Sequence, residues 1–307
     1  MNGEILDQRD RVSELRSSLT DDLMRLLGLP KKGLPRILLN PFLWFPANTF
    51  SRLADTFDRT VEQIGLCEAC QWALSKFALG ADIKGEEYIP RDGPLLIAAN
   101  HPGTVDGLAI ASYIPRPDLK IVVTGIPFVQ KMKSTAKHLI YTTFDPHERM
   151  TTIRSIIRQL EAGGALLIFP TGTVDPDPDI MPGAYEALEE WSPSLELIIR
   201  KVPQTQILLT IVSGVLNPSF LQSPFARFHK GLRERQKVAE FLQVAQQLFF
   251  PKSLSLLPRV SFAPPFTIPQ LHHLGGSKQI LRAVIEKAQL LLAEHTSYTF
   301  VHIEANN

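Results

Sequence analysis

Short apolar runs punctuate the chain from residue 95 onward: LLIAA at 95–99, KIVVT at 120–124, LIYTT at 139–143, ALLIF at 165–169 and QILLTIV at 206–212. Each has the length of a strand, and nearly every position in it is apolar. Strands that lack polar alternation are those buried on both faces, so these runs predict a mostly parallel central sheet flanked by helices. The segments between them carry the other period. In Met150 to Leu160, Ile153, Ile156, Ile157 and Leu160 share one helical face, and Gly163-Gly164 ends it. PRVSFAPPF at 258–266 predicts one more strand and Lys278 to His295 a closing helix. Between them, residues 222–250 form a less regular helical block whose charged cluster RERQK reads as a solvated face.

Upstream the texture differs. Phe57, Val61 and Ile64, then Cys67, Cys70, Leu74 and Phe77, recur at helical spacing up to a stop at Gly80. The chain therefore divides into an N-terminal helical region, residues 1–83, and an α/β domain, residues 84–307. Within the first, ILLNPFLWFP at 37–46 is apolar and aromatic, too short for a bilayer span and interrupted by Pro41. Two readings of it stay open, packing on the core or lying in a membrane interface.

Composition narrows the function classes. Of 307 residues, 44% are hydrophobic and 21% charged, the mix of a folded protein. A net charge of +1 offers no field for nucleic acid. The first twenty residues lack the apolar core of a signal peptide and only two cysteines occur, which leads us to expect a cytoplasmic, reducing setting. Those cysteines, in CEAC at 67–70, lie on the apolar stripe and are expected to pack rather than bind metal. DPDPD at 175–179 offers oxygen ligands, but its prolines favour a rigid solvated loop, and His272-His273 reads as a surface loop. No metal site is expected.

In open α/β sheets chemistry collects beyond the carboxyl ends of the strands. There LLIAA runs into Asn100-His101, and ALLIF into PTGTVDPDPD. A turn entering a helix near Val105 lets the Asp106 carboxylate reach back to one imidazole nitrogen of His101 and leaves the other to accept a proton. No Ser, Cys or Lys is evidently placed for covalent catalysis, so such a base would act directly on a hydroxyl. The alternative is a hydrogen-bonded turn histidine without chemistry.

GPLLIAANHPGTVDGLAI, then GIPFVQKMK, then GGALLIFPTGTV followed by MPGAYEAL resemble, in order and spacing, the blocks of the glycerophospholipid acyltransferase superfamily across residues 84–215. The resemblance implies one-step acyl transfer from acyl-coenzyme A or acyl-carrier protein, as co-substrate and without a cofactor, to the hydroxyl of a lysophospholipid or lipid alcohol. It makes His101 the general base and Asp106 its partner. It also places Asn100, Gly103, Thr104, Lys131, Thr171, Gly172 and Thr173 at the substrates, with backbone amides near Gly103 or Gly172 as oxyanion donors.

The third block departs from the family pattern Phe-Pro-Glu-Gly-Thr-Arg, carrying Thr171 for the glutamate and Val174 for the arginine. An arginine fork suits phosphate and valine does not. Either other groups hold phosphate, with Lys131, His147, Arg149 and Arg154 as candidates, or the acceptor is not a phosphomonoester. A cytoplasmic protein peripheral to the membrane is the expected setting. A lipid-binding protein of the same fold and a thioesterase are the competing readings.

Overall fold

The computed structural model describes residues 2–26, 30, 32–142, 146–272 and 280–297. Seven strands form one sheet: β1 (Asp82–Lys84), β2 (Leu95–Ala99), β3 (Lys120–Thr124), β4 (Leu139–Thr142), β5 (Ala165–Ile168), β6 (Gln206–Ser213) and β7 (Arg259–Phe262). Their order is β1-β7-β6-β2-β5-β3-β4. Every pairing is parallel except β6 with β7. Each sequence-predicted strand is present. β1 was not foreseen, and it straddles residue 83, where the sequence reading placed its domain boundary.

The strands lack polar alternation because both faces are covered. Leu96, Ala98, Leu166, Ile168, Ile207 and Leu209 point into one core, closed by the helices Pro146–Glu161, Ser194–Lys201 and Ile280–Ser297. Leu95, Ile97, Ala99, Ala165, Leu167 and Leu208 point into the other. Their cover comes from α2 (Leu34–Ile64) and α3 (Leu66–Phe77), which supply Val61, Leu66, Ala69, Cys70 and Leu74, and from Ala109 and Ile110 of the helix Asp106–Ala111, while α1 (Asn2–Leu26) packs on α2. The N-terminal helices are thus one wall of the sheet's own core. Leu95, Leu96 and Ile97 are wholly buried, each contributing roughly 1.5–3 kcal/mol of hydrophobic stabilisation.

The cysteine stripe packs as expected. Cys70 is buried, and Cys67 donates from Sγ to the Ser112 carbonyl at 3.2 Å. The segment 37–46 lies inside α2 with Pro41 and Pro46. Its described large apolar side chains stay out of the core: Ile37 is 68% exposed, and Leu38, Trp44 and Phe45 are also open to solvent. Phe45 stacks on Phe249 at 5.2 Å between ring centroids. Among the described residues no helix is long and apolar enough to cross a membrane.

Candidate active site

Three strand ends meet at the carboxyl edge of the sheet. β2 delivers Asn100 and His101, β5 the loop 169–182, and β6 the turn at 214–217. After β2 the chain turns through Pro102 to Val105 and enters the short helix α4 (Asp106–Ala111). Asp106 is its first residue, where a carboxylate complements the free N–H groups. Its Oδ2 lies 2.7 Å from His101 Nδ1 and accepts from the Gly103 amide at 3.0 Å, while Oδ1 accepts from the Gly107 amide at 2.5 Å. These bonds hold a proton on Nδ1 and leave Nε2 unpartnered among the described residues. The Asp106 side chain is 2% exposed and that of His101 30%, so the base has an open side and its partner does not. The ring of Phe169 stacks on the imidazole at 4.5 Å.

The charge state of His101 follows from its neighbours. Burial disfavours the imidazolium, but the charge and hydrogen bond of Asp106, with Glu240 and Asp175 behind it, more than offset this and raise the imidazole to about 9. In the free protein His101 is therefore protonated at neutral pH.

The loop after β5 locks this turn from behind. Asp175 Oδ2 accepts from the His101 amide at 2.8 Å, and the Asp175 amide donates to the His101 carbonyl at 2.7 Å. Asp177 accepts from the amides of Gly214, Val215 and Leu216. Both carboxyls are buried, which raises each to about 6 despite these donors. The DPDPD segment is therefore not the solvated loop its prolines suggested. Its first two carboxylates tie the ends of β2, β5 and β6 together.

A fourth element was misread. In the helix Leu232–Phe249, Gln236, Glu240, Gln243 and Gln247 fall on one face, and that face is buried. Gln236 Nε2 donates to the carbonyls of Pro102 and Asp175 at 2.7 and 2.8 Å. Glu240 accepts from Thr104 Oγ1 at 3.1 Å. Gln243 accepts from the Asn217 amide and donates to the Val215 carbonyl. RERQK was expected to be solvated, yet its Gln236 clamps the histidine turn. The signal available was the helical spacing of four long polar side chains beside Ala239 on one face.

The remaining expected substrate residues separate into two groups. Thr171 and Gly172 line a cavity of about 250 Å³ beyond the ends of β3, β4 and β5. Thr124, Thr142 and Ser192 add hydroxyls, Arg149 adds a cation, and Ile153 and Leu195 belong to its apolar lining. Phe169 walls this cavity and separates it from His101. Thr173 gives its carbonyl to Thr171 Oγ1.

Three expectations need correction. Asn100 does not face substrate: it is buried, and its side chain bonds both the amide and the carbonyl of Val212, pinning β2 to β6. The Gly103 and Gly172 amides are not free for an oxyanion, since they donate to Asp106 and to the Phe169 carbonyl. Lys131 is paired with Glu14 of α1 and does not line the cavity. Arg154 is exposed and also outside the cavity lining. The side chains of His147 and His272, and all of His273, lie outside the described residues, leaving Arg149 as the candidate cation that lines the cavity.

Comparison with known proteins bears on the same segment. Residues 80–192 match the family model described as Acyltransferase. Human lysophosphatidylcholine acyltransferase 2 is 27% identical over 95 residues, which is 30% of this chain and 18% of that protein. The chain thus matches less than a fifth of that relative's length. The crystal structure of PlsC, the 1-acyl-sn-glycerophosphate (LPA) acyltransferase of Thermotoga maritima, aligns over 97% of this chain and 100% of its own, with a TM-score of 0.44 and 14% identity.

Proposed function

We propose that the chain, whose residues 80–192 match the Acyltransferase family model, belongs to the glycerophospholipid acyltransferase superfamily and moves a fatty acyl group from acyl-coenzyme A or acyl-carrier protein to the hydroxyl of a lysophospholipid or related lipid alcohol. The observation that carries this reading is the 2.7 Å contact between His101 Nδ1 and Asp106 Oδ2, with Nε2 on the open side. Nε2 removes the acceptor's hydroxyl proton as that oxygen attacks the thioester carbonyl. The tetrahedral intermediate then expels the thiolate, which takes the proton back from His101 and leaves as thiol. Asp106 stabilises the imidazolium between the two transfers.

The cavity beside Thr171 and Gly172 suits the acceptor's polar head. Its hydroxyls suit a polyol, and Arg149 is the group that meets a phosphate where Val174 cannot. The outward apolar residues of α2 rest on the membrane at its cytoplasmic face and bring the site to its lipid.

Thiol release from long-chain acyl-coenzyme A tests the reading, with lysophosphatidic acid, other lysophospholipids, monoacylglycerol or no acceptor. His101→Ala lowers acceptor-dependent release by roughly 10² to 10⁴. Since the base acts when neutral, kcat/KM climbs with pH until His101 has lost its proton at about 9. Arg149→Ala weakens phosphorylated acceptors and spares monoacylglycerol. Release that is indifferent to His101 overturns the reading. Release that needs no acceptor makes the protein a thioesterase, and binding without release from either carrier makes it a lipid-binding protein.

A further inference from the structure

The helix Leu232–Phe249 lies outside the family-matched segment 80–192, yet it presents a carboxyl group to the histidine turn. Glu240 is 9% exposed. One of its oxygens accepts from Thr104 Oγ1 at 3.1 Å, and the other, Oε1, is buried without a hydrogen-bond partner. The fit is close on the turn side as well: a Cβ at Gly103 would sit 3.3 Å from Glu240 Cδ and 3.0 Å from Val215 Cγ2. Gly103 is thus the residue that lets the turn approach this carboxyl. A buried carboxyl oxygen without a donor is costly to keep, and packing or Thr104 alone does not require one, since a glutamine accepts the same hydroxyl.

We infer that Glu240 is a positioning residue for the reaction, holding the His101 turn through Thr104 and setting a further carboxyl group behind that turn. This inference rests on the acyl-transfer reading above. The charged groups whose fields reach Glu240 are His101 and Asp106 of the turn and Asp177 of the loop after β5, with Asp175 of that same loop acting on His101. His101 is the cation in this set. Burial and the nearby Asp106 charge raise Glu240 to about 7, while Thr104 and the imidazolium act the other way. Glu240 and His101 therefore stabilise each other's charged forms, as linkage requires of a coupled pair. A stronger base takes the acceptor's hydroxyl proton with more driving force, and a smaller fraction of it is neutral at pH 7.

The test is a titration of the histidine 13Cε1 signals in the full chain, with His101 assigned by its loss in His101→Ala. Glu240→Gln keeps an acceptor for Thr104 and removes the charge; it moves the His101 midpoint down by at least about half a pH unit. The acidic limb of kcat/KM moves with it. Glu240→Asp returns most of the shift, and Thr104→Val, which loses the hydrogen bond and keeps the charge, leaves the midpoint near wild type. The other histidine signals report that the fold is intact. The same coupling is read from the opposite end without altering Glu240: its 13Cδ midpoint rises in His101→Ala. A His101 midpoint unchanged in Glu240→Gln, or a Glu240 midpoint unchanged in His101→Ala, overturns the inference and makes Glu240 a packing residue. If no acceptor gives His101-dependent thiol release, the acyl-transfer reading falls, while the two titrations still decide whether Glu240 acts on the imidazole.

Discussion

Two helices invert the usual rule of burial in opposite directions. The first half of α2 is rich in large apolar side chains, and Leu34, Ile37, Leu38 and Trp44 face outward. The helix Leu232–Phe249 carries Gln236, Glu240, Gln243 and Gln247 on the face it buries. They touch where Phe45 stacks on Phe249. Polar residues go inside where backbone groups of irregular loops need partners, and these side chains supply them at 102, 175, 215 and 217. Apolar residues stay outside where nothing among the described residues covers them, which is why they are given a lipid surface. Position along the sheet, more than composition, separates the two cases: the polar face lies over the carboxyl edge where three loops meet.

Stability measurements break or sharpen this contrast. The largest effect is expected from Gln243→Ala, which leaves the Asn217 amide and the Val215 carbonyl without partners. Two such groups cost about 2–4 kcal/mol together, read as a lower urea midpoint; a neutral result means that water replaces the side chain and the polar face is dispensable.

A smaller, pH-dependent effect belongs to the same buried region. His101 is raised to about 9 in the folded chain, above the roughly 6.5 of an unfolded one. Its contribution to stability is therefore complete below about 6.5 and disappears as pH rises through 9. The difference in melting temperature between wild type and His101→Ala shrinks across that window; a constant difference removes the charge coupling from the account. The smallest effect is expected at α2. Ile37→Glu changes stability by less than about 0.5 kcal/mol and lowers sedimentation with anionic phospholipid vesicles several-fold. Unchanged sedimentation removes the lipid surface from the comparison.

Local features of the fold were legible in the sequence and distant ones were not. Each continuous apolar run became a strand because both of its faces needed cover. β1 escaped notice because Asp82–Lys84 is three residues long, half-buried and at the sheet edge, which leaves no period to read. His101 and Asp106 could be paired on paper because five positions and one turn separate them. Asp175 is 74 positions from His101, and Glu240 is 136 from Thr104. Only the sheet order brings such residues together, and an aspartate before a proline or a glutamate in a charged helix carries no sign of it. Composition misled at DPDPD for the same reason: a short acidic loop is solvated by default, but this one is enclosed by strand ends on three sides.

The order of the strands also ties completion of the sheet to residues made well after the histidine turn. β6, β2, β5, β3 and β4 have all emerged from a ribosome once residue 213 has cleared it, whereas β1, made far earlier, has no partner until β7 arrives between it and β6. Until then the open side of β6 is a bare edge, the kind of surface on which an incomplete chain mispairs. Closure is secured later still: His295, in the Ile280–Ser297 helix, bonds Ser213 of β6 through one ring nitrogen and Ser261 of β7 through the other, at 2.8 and 2.7 Å. A nascent chain cut short before this latch keeps the histidine turn and lacks the clasp across its final seam, so truncation there is a test of folding quality more than of chemistry.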